Sequence, residues 1–167
     1  MNPGDRGYHP GQMNVFPYGG SRDDTPNGGV SCFHHEQRQA DAHTASRARS
    51  ELAEWLRGKL APSRVAADDV LLAVYEALAN AAEHAYVGAR GSRTVQLEAQ
   101  YDADEDSLSV TVEDHGRWQA FDQLAPLDPH SIRGRGIRMM RVLADEANIA
   151  FSPHGTRVEL SWHPPGS

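Results

Sequence analysis

Glu76, Asn80 and His84 stand at four-residue intervals, so on a helix they share one strip of surface and can act together. Magnesium takes oxygen ligands and keeps waters and substrate phosphates in its shell, so Asn80 beside a Glu76 carboxylate would be enough to hold one. The same strip also suits an ordinary solvated helix face. Asp114 follows Leu108, Val110 and Val112 in strict alternation, which turns its carboxylate to the core side of a strand. A charge there needs a donor, and the exocyclic amino group of adenine is a suitable one. Gly116 leaves room for a flat base, although Asp and Gly at this spacing also make plain turns. Arg133-Gly134-Arg135-Gly136 opens a further helix, which suits an anion at a helix N-terminus or a simple hinge. Thr156 is in phase with Val158, Leu160 and Trp162, so its hydroxyl faces inward at the start of the last strand.

The elements that must position these groups follow from apolar spacing. Val30 to Glu36 reads as a short edge strand. Ala45, Ala48, Leu52, Trp55, Leu56 and Leu60 then fall at helical spacing up to Pro62. Leu71, Val74, Leu78, Ala81, Ala82 and Ala85 lay a second helical stripe from about Ala66 until Gly88. The period then changes to two: Val95, Leu97, Ala99 and Tyr101 form one strand and Leu108, Val110 and Val112 the next, joined by an acidic turn from Asp102 to Asp106. Residues 117 to 133 read as a long loop of lid type, before a helix from Gly136 to Ala144. Two last strands hinge at Pro153-His154-Gly155. The order β, α, α, β, β, loop, α, β, β predicts a two-layer α/β (α+β) sandwich, with helices on one face of a mixed, mostly antiparallel sheet.

The 167 residues suffice for one domain, expected over 31–163. Residues 1–30 hold 7 of the 15 Gly and 4 of the 10 Pro without apolar periodicity, and are expected to be a disordered or loosely attached tail; 164–167 form a short C-terminal one. The formal charge of −7 offers no basic field for nucleic acid or an anionic membrane. The single lysine, Lys59, is not set in a Gly-Lys-Ser/Thr phosphate loop. No stretch approaches the ~20 apolar residues of a membrane span. With one cysteine, Cys32, and no signal-peptide pattern, the expected location is the cytoplasm. His34, His35 and His43 lack the spacing and second cluster of a metal site.

Taken in order, Glu76-x-x-x-Asn80-x-x-x-His84-Ala85-Tyr86, Asp114-x-Gly116-x-Trp118, Gly134-x-Gly136 and Gly155-Thr156 resemble the N, G1, G2 and GT boxes of the Bergerat-fold (GHKL) ATPases. The segment Glu76 to Tyr86 looks most like the anti-sigma-factor serine/threonine kinases within that superfamily, and the resemblance spans about residues 31–162. It implies a Bergerat-type fold with ATP and Mg²⁺ as cofactors. Glu76 would be the general base and Asn80 the metal ligand. Asp114 would accept from the adenine amino group with Gly116 under the ring. Gly134, Arg135 and Gly136 would belong to the lid and helix start over the phosphates, Thr156 would support the adenine, and His84 would lie within reach of phosphate. Trp118 departs from the glycine found in many members of the superfamily.

The resemblance further implies phosphorylation of a Ser or Thr on an anti-anti-sigma (STAS-domain) partner, sequestration of a sigma factor, and a homodimer, for which Trp55 and the apolar positions of the first helix offer a surface. Histidine-kinase activity is not expected, because no dimerising helical pair bearing a phosphoacceptor His precedes the domain. Two alternatives stand beside this reading. One is an ATP-binding module of the same fold that sequesters a partner without transfer. The other is a hydrolysis-driven machine, which would need further domains to move.

Overall fold

The computed structural model describes residues 22–24, 29–37, 40–60, 65–84, 94–116, 132–152 and 154–163. Nine elements follow in chain order: β1 (Arg22–Asp24), β2 (Val30–Gln37), α1 (Ala42–Lys59), α2 (Ala67–His84), β3 (Val95–Asp102), β4 (Ser107–Asp114), α3 (Ile132–Leu143), β5 (Glu146–Ser152) and β6 (Gly155–Trp162). The strands form one sheet in the order β1-β2-β3-β4-β6-β5. Every ladder is antiparallel, which corrects the expected mixed sheet: hairpins join β3 to β4 and β5 to β6, and β4 pairs with β6 across α3. The strand beginning at Val30 is not an edge, since β1 covers part of its free side. Those three residues lie in the segment expected as a tail and pair with Cys32 to His34; 1–21 and 25–28 lie outside the described residues.

The alternation read from the sequence is realised as one core face. Leu97, Ala99, Val110, Val112, Val158 and Leu160 are buried from the sheet, and Leu52, Leu56, Val70, Val74, Leu78 and Met140 bury against them from the helices. The opposite face carries exposed His34, Glu98, Ser109 and Glu159, as expected of an antiparallel sheet with one solvated side. Arg157 crosses that face, donating to Glu113 at 2.9 Å and Glu159 at 2.7 Å.

Helix α1 starts where its cap dictates. The Asp41 carboxylate accepts the Thr44 N–H at 2.8 Å while the Thr44 hydroxyl accepts the Asp41 N–H at 3.0 Å, a reciprocal capping box. Ala45, Ala48, Leu52 and Leu56 then face inward, and fully burying each leucine stabilises by roughly 1.5–3 kcal/mol. These positions are spent on the chain's own core. Trp55 is half-buried with its ring 5.7 Å from that of Phe33, so the surface offered for a homodimer is largely interior. Between β3 and β4, Asp102 accepts the N–H groups of Asp104 and Glu105, and Asp106 takes φ +49°, the left-handed turn that Asp tolerates. At the far end, the Trp162 indole N–H donates to the Leu143 carbonyl at 2.8 Å and ties β6 to the end of α3.

Candidate functional site

Helix α2 and strands β4 and β6 bring Asn80, Asp114 and Thr156, three of the predicted residues, to one cleft. Its walls include Asn80, Ala77 and Ala81 from α2, Ile137 and Met140 from α3, Val112 and Asp114 from β4, Thr156 and Val158 from β6, and Ile149 and Phe151 from β5. Asp114 and Thr156 are register partners across β4 and β6 and are both buried. The Asp114 Oδ1 accepts the Gly116 N–H at 3.0 Å, so turn chemistry is present at this corner. The Thr156 hydroxyl oxygen is buried without a hydrogen-bond partner among the described residues, and buried polar atoms of that kind are normally satisfied by a ligand or water. Gly155 makes the close approach feasible. Its φ of +143° is unfavourable for other residues, and a side chain there would overlap the Asp114 carbonyl oxygen.

The second half of the site is the seam between α2 and α3. Glu76 and Asn80 are half-buried on one strip of α2, as their spacing predicts. Gly136 faces both: a Cβ at this position would lie 2.8 Å from Glu76 Oε2 and 3.3 Å from Asn80 Nδ2. A carboxylate and a neutral amide thus converge where Gly136 carries no side chain. Burial pushes the Glu76 carboxyl above its ordinary value, and the negative charge of Glu83 adds to the shift. The donor set fits Mg²⁺, which favours oxygen ligands of this kind and tolerates few from the protein.

The remaining expectations fall as follows. The third helix begins at Ile132, so Gly134 and Gly136 lie inside its first turns and do not precede it, a correction to the predicted start at Gly136. The good helix propensity of the interleaved arginines and the close fit of Gly136 against α2 offset the weak helix propensity of glycine there. Gly134 and Gly116 are buried and Arg135 is exposed. His84 ends α2, but its side chain, like Ala85, Tyr86, Trp118 and the rest of 117–131, lies outside the described residues, and the last two residues of the lid loop expected over 117–133 are the first of α3. His34 and His35 point to opposite sheet faces, His34 to Glu98 at 3.2 Å and His35 to Glu51 at 2.7 Å. Sequence reasoning did not assign Ile149, Phe151 and Met140 to the site. Their alternation on a last strand or helix marks them as apolar, and only the sheet order shows that they wall the cleft.

The profile of the histidine kinase-like ATPase domain matches residues 38–162. The chain is similar to the crystal structure of the RsbU and RsbW domains of Rv1364c from Mycobacterium tuberculosis, at 24% identity and a TM-score of 0.56 over 78% of this chain. It spans 32% of that longer protein, and at this identity the likeness shows the fold. A second similarity is to the histidine kinase domain of the blue-light activated histidine kinase from Erythrobacter litoralis EL346. It has 30% identity and a TM-score of 0.42 over 57% of this chain and 43% of that one.

Proposed function

This chain belongs to the histidine kinase-like ATPase domain family, and from that membership we propose that it is an ATP-dependent anti-sigma factor, which phosphorylates a serine or threonine of a STAS-domain protein and sequesters a sigma factor. The observation that carries the reading is the convergence of Glu76 and Asn80 on Gly136, at the rim of the cleft that Asp114 and Thr156 floor. Adenine would enter between Val112, Ile149 and Phe151, its amino group donating to Asp114 and the Thr156 hydroxyl satisfied on the same side. That end orients the nucleotide. The phosphates would then run toward the seam, where the start of α3 contributes its positive end. Magnesium, held through Asn80 with Glu76 alongside, would supply charge neutralisation on the phosphates.

Glu76 does the proton work. Its carboxylate takes the proton of the acceptor hydroxyl as that oxygen bonds to the γ-phosphorus and the bond to the departing ADP breaks. A carboxyl pushed upward is a stronger base once ionised, and its position beside Asn80 keeps it next to the reacting phosphoryl. The sign for pH follows. Transfer should rise with pH through a limb above the ordinary carboxyl value of 4.5, and that limb should vanish in Glu76→Gln. Because the folded protein holds this proton more tightly than the unfolded chain, the same group lowers stability slightly as pH rises through that window.

Calorimetric titration of Mg²⁺·ATP into the wild type and Asn80→Ala, with γ-phosphate transfer to STAS-domain proteins followed in the same samples, tests the proposal. Magnesium-dependent binding lost in Asn80→Ala, together with transfer lost in Glu76→Ala while ATP affinity is kept, is the expected result. Unchanged transfer in Glu76→Ala removes Glu76 as the base, and ATP binding without transfer to any STAS protein favours the sequestering module.

A further inference from the structure

The outward face of α3 is chemically unlike the rest of the molecule. In a chain of formal charge −7, this twelve-residue helix carries Arg133, Arg135, Arg138 and Arg141 and no carboxylate. Arg135, Arg138, Met139 and Val142 fall at positions i, i+3, i+4 and i+7, a single stripe, and all four are exposed. Val142 is 74% and Met139 37% accessible, whereas Gly136, Ile137 and Met140 on the other side are buried. Like charges three residues apart repel, and a β-branched residue on an exposed helix face has poor propensity and no packing in return. Arg47 and Arg157 pair with carboxylates, but Arg135, Arg138 and Arg141 have no such partner among the described residues. The stripe is therefore costly to the isolated chain, and its charge is the opposite of the chain's own.

Its place in the fold says what it meets. Gly136 packs on Glu76 from the buried side of α3, and Met139, one turn on, is the edge of the stripe nearest that seam, about 4.5 Å further along the helix axis, with Val142 about 9 Å along it. On α2, Leu72 is exposed one turn before Glu76 and adds apolar surface near the same carboxylate. Resting on the transfer reading above, we infer that this face of α3 is the dock for the phosphoacceptor protein, which meets it with an acidic surface bearing an apolar side chain next to its Ser or Thr. Phosphates of a nucleic acid would match the arginines but not the interleaved Met139 and Val142, and the negative charge of the rest of the chain would repel them. Bound ATP does not account for the outer residues either. Arg138 and Val142 project from the side of α3 opposite Met140, which lines the cleft, and Arg141 is exposed on its flank.

The test uses the full chain with purified STAS-domain proteins, acidic and basic, as probes. Binding to each is measured with Mg²⁺·ATP present, alongside transfer and ATP affinity. The variants are Arg138→Glu with Arg141→Glu, Val142→Asp, and Glu76→Ala. The wild type should bind acidic members. Both surface variants should weaken that binding, and raise the KM for transfer, by about tenfold or more, the effect of losing interface anchors. ATP affinity should stay within about twofold, which also reports intact folding. Glu76→Ala should bind the acidic proteins normally and transfer nothing. If the wild type binds acidic STAS proteins but phosphorylates none, the transfer reading fails while the dock stands, provided charge reversal still removes binding. The inference is overturned by binding that neither surface variant alters, by preference for basic members, by loss of ATP affinity in step with acceptor binding, or by no STAS protein binding the wild type.

Discussion

Two of the places where the core holds polar side chains differ in who covers them. On β2, His35 is fully buried, and α1 lays Glu51 over it at 2.7 Å. On β4 and β6, Asp114 and Thr156 are equally buried at the floor of a cleft walled by α2, α3 and β5. Each place keeps an orphaned atom among the described residues, His35 Nε2 in one and the Thr156 hydroxyl in the other, so satisfaction of hydrogen bonds does not separate them. Access does. No residue of α1 or β2 lines the cleft, so the His35 pair serves packing under a closed helix, whereas the Asp114 pair faces a space that a ligand can enter.

Truncating each place should separate stability from binding. His35→Ala opens a cavity and removes one of the partners of the Glu51 carboxylate, and should cost roughly 2–4 kcal/mol of stability while leaving the ATP affinity of the folded protein unchanged. Chemical denaturation with parallel calorimetry reads both, and a loss of ATP affinity without loss of stability would erase the distinction. Asp114→Asn is the converse. It keeps an oxygen for the Gly116 N–H but turns an amide toward the adenine amino group, and should weaken ATP by about 1.5–3 kcal/mol, some tenfold to hundredfold in Kd, with little change in Tm. A collapse in Tm with unaltered Kd would make Asp114 another packing residue.

The smallest effect lies outside both places. The Asp41 carboxyl is held below its ordinary value by the Thr44 N–H and hydroxyl. A depressed carboxyl contributes stability above its unfolded value and loses it as pH falls through the folded one. Asp41→Ala should therefore lower Tm slightly at neutral pH, and the difference from the wild type should close in acid. A pH-independent difference would mean that the cap acts through geometry alone.

Much of this was legible in the residues. The inward phase of Leu108, Val110, Val112 and Asp114 is a period-two pattern that survives any sheet order, and Glu76 with Asn80 shares a strip in any helix. The apolar rows of α1 and α2 were read within a few residues of their observed ends. The start of α3 was placed too late because its glycines look like breakers until Gly136 is seen packed on Glu76. Strand β1 was unreadable, since three polar residues carry no period and pair only because β2 offers a free edge.

By itself the sequence determined which faces are apolar, that Glu76 and Asn80 share one strip of a helix, and that Asp114 and Thr156 fall in the inward phase of their strands. Such properties repeat along the chain at fixed periods or belong to local side-chain bonds. Tertiary structure alone decided that every ladder is antiparallel, that the apolar row of α1 is interior, and that Ile149 and Phe151 from the edge strand wall the site. It also decided that Gly136 closes on Glu76 and leaves Arg135, Arg138, Arg141 and Val142 turned outward. Contacts between residues far apart in the chain depend on strand order and helix packing, and no local period encodes either.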